Sequence, residues 1–186
     1  MGNTSSSTDL YTLVDNGDVD ALQEQLDANP DDFGIDLVNE DGETLLFRAC
    51  TNGDEKVVAF LLEHGADFSI PCHSCGDMTA IHCAATTNSV TVLSLLLVNG
   101  ADPNTICKAG SPLHLAFQYA NFNAARLLIE NGARIDLKND TLLAPTEVDC
   151  EEGVEEFTDS QVASLKNLAA KYENGSTSTQ DSTEDL

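Results

Sequence analysis

Positive charge is the scarcest resource in this chain. Eight lysines and arginines face 32 acidic residues, for a net charge of −24 and a pI near 4.1. No lysine or arginine precedes Arg48, although that stretch carries twelve acidic side chains; all eight cations lie between Arg48 and Lys171. Nucleic-acid binding needs clustered cations to replace released counterions, so acidic ends around a mixed centre exclude that class. A basic protein surface is favoured instead, reached by steering that weakens with salt. The same charge also serves simply to keep the chain soluble. Long apolar runs are missing as well: none spans a bilayer, and no cationic, apolar secretory leader opens the chain. The expectation is a cytoplasmic monomer of one domain, with its six cysteines as free thiols and its sequons, those at Asn3 and Asn174 among them, unused. A catalytic constellation is also lacking. Ser, His and Asp abound, but none stands in a strained nucleophile elbow or beside a glycine-rich phosphate loop. Neither enzymatic activity nor a cofactor is expected.

What is present is one frame written three times. Its openings are Thr44-Leu45-Leu46-Phe47-Arg48-Ala49, Thr79-Ala80-Ile81-His82-Cys83-Ala84 and Ser111-Pro112-Leu113-His114-Leu115-Ala116. An apolar run follows each, then Gly65-Ala66-Asp67, Gly100-Ala101-Asp102 or Gly132-Ala133-Arg134, always 21 residues from the opening Thr or Ser to the Gly. In Val90-Thr91-Val92-Leu93-Ser94-Leu95-Leu96-Leu97 large residues recur at three and four, which makes one helical face continuously apolar. The Gly after each run sits where a left-handed residue ends a helix without steric cost. Two short helices and a hairpin cannot bury an apolar face alone, so such units must stack.

The pattern resembles the ankyrin repeat, with its Thr-Pro-Leu-His opening, Val/Leu-rich second helix and Gly-Ala-Asp. Ser111-Pro112-Leu113-His114 and Thr79-Ala80-Ile81-His82 match best, and Val57-Val58-Ala59-Phe60-Leu61-Leu62 represents the second helix. The resemblance implies an all-α solenoid of stacked helix–turn–helix units with hairpin loops. It covers residues 8–172: an N-terminal cap at about 8–37, repeats at about 38–72, 73–106 and 107–139, and a C-terminal cap at about 140–172. Upstream, Gly17-Asp18-Val19-Asp20-Ala21-Leu22 keeps only the second-helix start. Downstream, Ala144-Pro145-Thr146-Glu147 and Gly153 hold the register, but Asp149 and Cys150 replace small residues. There Thr158-Asp159-Ser160-Gln161 reads as a capping box, opening a helix with Val162, Leu165, Leu168 and Tyr172 on one side. Residues 1–7 form a leader and 173–186 an acidic tail without apolar content, both expected to lack structure.

The resemblance also implies a role in protein–protein interaction, with the partner against hairpin tips and first-helix ends on the concave face. Those positions are Glu43, Thr51 and Asn52 in the first repeat, His73, Met78, Thr86 and Thr87 in the second, and Lys108, Gln118 and Tyr119 in the third. Tyr119 either anchors a partner or shields the repeat junction. Asn88 and Ala120 replace the glycine that joins the helices, so those turns are expected to tighten or distort. The hairpin from Gly65 to Thr79 is the longest of the set, making residues 70–77 a recognition tip or an idle insertion. His82 and His114 are structural braces by family position, and Cys50 and Cys150 fall at buried small-residue positions.

Two further motifs lie outside the frame. Met1-Gly2-Asn3-Thr4-Ser5-Ser6 fits N-myristoylation at Gly2. One myristoyl chain gives only about 10⁴ M⁻¹ of membrane affinity, and no nearby cysteine or basic patch adds to it, so anchoring is expected to be reversible. Pro71-Cys72-His73-Ser74-Cys75-Gly76 carries one Cys-x-x-Cys. With Cys107 at the equivalent place in the next hairpin, Cys72, His73, Cys75 and Cys107 form a conceivable zinc set. A second Cys-x-x-Cys is absent, and stacked hairpins lie farther apart than thiolates on one metal. Inert thiols, a redox pair and zinc stay open, with no metal expected. In the tail, Ser178 and Ser182 precede acidic residues as acidophilic kinases prefer, and Glu184-Asp185-Leu186 weakly resembles a ligand for a sheet-edge groove. Two functions follow: a myristoylated adaptor, or a soluble acidic inhibitor or chaperone that masks a basic protein.

Overall fold

A hydroxyl starts each repeat helix. Thr44 has an extended backbone (φ −83°, ψ 165°), and its Oγ1 accepts the Phe47 N–H at 3.1 Å, satisfying a donor that the first helical turn leaves open. Thr79 and Ser111 occupy the same place in the next two repeats with the same extended backbone. The computed structural model describes residues 6–28, 34–138, 144–147 and 156–175. Gly2, the leader before Ser6, Asp149, Cys150, Gly153 and the tail serines lie outside the described residues.

Eight short helices form four antiparallel pairs: α1 (Ser6–Asn16) with α2 (Val19–Ala28), α3 (Leu45–Asn52) with α4 (Glu55–Glu63), α5 (Ala80–Thr86) with α6 (Val90–Val98), and α7 (Pro112–Gln118) with α8 (Phe122–Glu130). The first members pack in sequence as one layer and the second members as another. A two-layer, all-helical solenoid results, and the described residues hold only isolated hairpin bridges besides the helices. Its core runs uninterrupted through the stack. Leu61, Leu96 and Leu128 stand at one position of α4, α6 and α8, and each is fully buried, worth about 2 kcal/mol apiece.

The joint between helices needs a left-handed residue. Gly53 supplies it between α3 and α4 with φ 70°. Asn88 (φ 53°) and Ala120 (φ 50°) hold the same conformation in the next two repeats. The turns are therefore preserved rather than distorted, contrary to the sequence expectation. Asn adopts this region readily, whereas Ala does so at about 1–2 kcal/mol.

The first pair is a complete helical unit that buries Leu10, Val14 and Leu22. At the other end, Thr158 and Gln161 make the expected capping box: the Thr158 N–H donates to Gln161 Oε1 at 2.9 Å, and the Gln161 N–H donates to Thr158 Oγ1 at 3.3 Å. The helix it opens, α9 (Asp159–Gly175), packs on α8 and buries Leu165 and Ala169. Tyr172, placed by its spacing on the same side, is instead exposed. The 17-residue α9 is about 25 Å long and the nine-residue α8 about 13 Å, so the last turns of α9 outrun their support. Phe157 closes the junction, its ring 4.8 Å from Phe117 and 5.8 Å from Phe122, both edge-on.

Candidate protein-binding surface

Because α3, α5 and α7 stack side by side, the residues at their C-terminal ends recur along one line: Thr51 and Asn52, then Thr86 and Thr87, then Gln118 and Tyr119. The hairpins form the other part of this surface, closed by antiparallel bridges Val38–Thr44, Cys72–Met78 and Cys107–Gly110. The second hairpin does not stand free. Its Gly76 carbonyl accepts the Lys108 N–H at 3.0 Å, and its Ser74 hydroxyl donates to the Asp41 carbonyl of the first.

Several candidates already have work inside the chain. Arg48 grips Asp15 with two parallel bonds, Nε to Oδ1 at 2.8 Å and an outer nitrogen to Oδ2 at 3.0 Å. Asn52 Nδ2 adds a third at 2.9 Å. The Arg48 bond, then that of Asn52, holds the Asp15 carboxyl below its usual range, and Asp15 correspondingly raises Arg48. Glu43 is half-buried; its carboxylate accepts from Asn39 at 3.2 Å and Arg48 at 3.4 Å. Tyr11 packs under this cluster with its hydroxyl between the Leu37 and Glu43 carbonyls, and burial pushes its pKa up to about 12.

In the middle repeat, Met78 is half-buried against the core, while the Thr86 and Thr87 hydroxyls donate back to the Cys83 carbonyl at 2.8 and 3.2 Å. Thr51 does likewise to Phe47 at 3.0 Å. His73 Nδ1 lies 2.6 Å from Asp77 Oδ1, and Lys108 Nζ lies 3.3 Å from Asp77 Oδ2. The His73 bond, then the Lys108 bond, lowers the Asp77 carboxyl. Tyr119 caps α7 with 37% of its surface exposed, beside a half-buried Gln118. Glu43 and Met78 thus serve the fold first, whereas Thr51, Asn52, His73, Thr87, Lys108 and Tyr119 are exposed.

The repeat histidines are buried braces. His82 Nδ1 accepts the Thr79 N–H at 3.1 Å, which leaves the proton on Nε2 to be donated to the Thr105 carbonyl at 3.1 Å. Burial drives its pKa down to about 4. His114 Nδ1 takes the Ser111 N–H in the same way at 3.0 Å. Each histidine so completes a capping box in place of the usual Glu or Gln.

No group of three or more His, Cys, Asp or Glu among the described residues is arranged to hold a metal. Cys72, His73, Cys75 and Cys107 are not gathered into a ligand set: Cys72 and Cys107 are buried, Cys75 is exposed, and His73 turns to Asp77. Cys50 and Cys83 are fully buried thiols. On the opposite layer, a cleft of about 540 Å³ opens between α2 and α4, lined by Asp18, Asp20, Lys56, Phe60 and Glu63 among others.

Sequence reasoning passed over three residues of this surface. Asp15 lies in the degenerate first unit, where no repeat position points to it. Asp77 needed the left-handed turn (φ 63°) that aims it at its neighbours. Asn121 is buried, and its amide donates across the repeat boundary to the Ala85 and Thr86 carbonyls at 2.7 and 2.8 Å. A polar residue just before an apolar helix was the available signal for it.

The ankyrin-repeat family model, described as three copies, matches residues 10–107 and 72–139. The nuclear factor NF-kappa-B p105 subunit of Gallus gallus is 32% identical over 140 residues, covering 73% of this chain and 14% of its own length. The transient receptor potential cation channel subfamily A member 1 of Drosophila melanogaster is 31% identical over 134 residues, covering 70% and 11%. The putative ankyrin repeat protein FPV222 of Fowlpox virus is 24% identical over 150 residues, covering 80% and 19%. The chain thus spans less than a fifth of the length of these relatives. With the matched segment, the stacked helix pairs and the histidine-braced hairpins in agreement, the chain belongs to the ankyrin-repeat family, whose repeats act in protein–protein interaction.

Proposed function

We propose that this chain is a non-catalytic, monomeric adaptor that binds a protein partner through its hairpin tips and concave face. The observation that carries this reading is the line of Thr51 and Asn52, Thr86 and Thr87, and Gln118 and Tyr119, repeated at the ends of three successively packed helices beside tied hairpins. An extended partner segment fits such a surface, with Tyr119 as its aromatic anchor and Lys108 and His73 at the tip. Gly2 carries a myristoyl group that brings the complex to a membrane reversibly, since one acyl chain alone binds marginally. No helix among the described residues is long and apolar enough to cross a membrane. The test is affinity capture and fractionation in eukaryotic cells with the unaltered chain and Gly2→Ala. The expected result is myristate on Gly2 by mass spectrometry and membrane recovery that Gly2→Ala abolishes; an unmodified Gly2 sinks the anchor. Tyr119→Ala should weaken the captured partner by about 2 kcal/mol or more, and unchanged affinity moves the interface elsewhere.

The net charge of −24 favours a second reading, a soluble inhibitor or chaperone that masks a basic protein. It predicts capture that falls steeply with salt and is indifferent to Gly2→Ala.

A further inference from the structure

The second hairpin holds two thiols that the binding surface does not use. The Cys75 N–H donates to the Cys72 carbonyl at 3.1 Å, the Asp77 N–H donates to that same carbonyl at 3.0 Å, and the Cys72 N–H donates to Met78 at 2.7 Å. This closed turn sets both thiols beside one hydroxyl. The Ser74 hydroxyl lies 3.3 Å from Cys72 Sγ and 4.0 Å from Cys75 Sγ. The two thiols differ in access: Cys75 is exposed and Cys72 is buried, with its S–H directed at the Asp41 carbonyl at 3.6 Å. An exposed thiol that can attack an oxidant beside a buried one that can resolve the adduct is the division of labour a disulfide-forming pair needs.

We propose that Cys72 and Cys75 form a reversible disulfide by exchange with low-molecular-weight disulfides of the glutathione type. The Cys75 thiolate attacks one sulfur of the oxidant, making a mixed disulfide and expelling one small thiolate. The Cys72 thiolate then attacks the Cys75 sulfur, closing the Cys72–Cys75 bond and expelling the second. The two cysteine protons end on the two released thiols, so two protein thiols are oxidised and one small disulfide is reduced to two thiols. The closed bond removes the Cys72 S–H from Asp41, leaving the Ser74 hydroxyl on that carbonyl and the Asp36 carboxylate on the Asp67 N–H as side-chain ties between the first two hairpins.

The surroundings support a slow exchange whose product persists. Desolvation within the turn, then the neighbouring Cys72 thiol, pushes the Cys75 thiol up to about 11, with Glu43 adding to the rise. Cys83 lies close enough to feel both thiols and is pushed up to about 12, chiefly by its burial. Destabilised thiolates make a dithiol easier to oxidise at equilibrium while slowing its attack at neutral pH.

The test uses the reduced full chain in native buffer with graded ratios of oxidised to reduced glutathione. Acid quenching, alkylation and peptide mass spectrometry follow. The expected product is a Cys72–Cys75 disulfide with Cys50, Cys83, Cys107 and Cys150 recovered as alkylated thiols. In Cys72→Ser, glutathione should remain on Cys75 at least about tenfold longer than in the unaltered chain, because the intramolecular resolving thiol is gone. A lasting glutathione adduct on Cys75 of the unaltered chain overturns the proposal. So does a dominant bond to any other cysteine, or full reduction at the most oxidising ratio.

Discussion

Acid should destabilise this protein through His82 in a way that a single substitution isolates. The ring is fully buried and neutral, bonded on both nitrogens, and its pKa falls from 6.5 to about 4 on folding. A base with a depressed folded pKa contributes stability that is complete above the unfolded value. It is lost as pH falls from about 6.5 towards 4, because the unfolded chain then binds a proton that the folded chain refuses. Between pH 7.5 and 4.5 that loss comes to about 2.5 kcal/mol. Carboxylates titrate in the same range, and their protonation relieves repulsion in a chain of charge −24, so the raw profile mixes both effects. His82→Gln separates them. Glutamine can accept the Thr79 N–H without binding a proton, while the carboxylate background is unchanged. Urea unfolding of both chains at the two pH values should show the unaltered protein losing about 2.5 kcal/mol more than the variant. Equal pH dependence would refute the assignment, as would an NMR titration of the His82 ring with a midpoint near 6.5.

Substitutions at three further positions test the packing directly. Ala120→Gly should stabilise by about 0.5–1 kcal/mol, since the strain of φ 50° exceeds the extra chain entropy of glycine; a lowered melting temperature would contradict this. Asn121→Ala should cost about 1–3 kcal/mol by orphaning the buried carbonyls of Ala85 and Thr86, read from the urea midpoint, and Asn121→Asp, which cannot donate, should be no better. Arg48→Gln should cost less than about 1 kcal/mol, because both partners of the Asp15 pair are more than a third exposed. A larger loss by the same assay would mean that this contact organises the first two units.

The repeat frame was legible because its determinants are local. A hydroxyl, an apolar run and a glycine at fixed spacing specify a capped helix, a buried face and a stop, so α3 to α8 follow from residues near one another in the chain. His82 and His114 were readable for the same reason, each bonding a residue three positions earlier. At Asn88 and Ala120 the absence of glycine does not signal a changed turn, because neighbouring helices hold the left-handed geometry against the preference of alanine. Tyr172 misled because spacing gives the face of a helix but not where its support ends. Asp15 and Asp77 were invisible since their partners come from another unit or from a turn whose handedness no pattern encodes. Only the folded hairpin separates the solvent-facing Cys75 from the sealed Cys72.

Asn121 acts as a rivet between the second and third units. Two short bonds from one rigid amide fix both the spacing and the rotation of α7 and α8 relative to the end of α5, close to where Thr86, Thr87, Gln118 and Tyr119 emerge. The curvature of the array at that seam is thus set before any ligand arrives. A partner must match that pitch, since flattening or tightening it would strip both carbonyls of their donor at once.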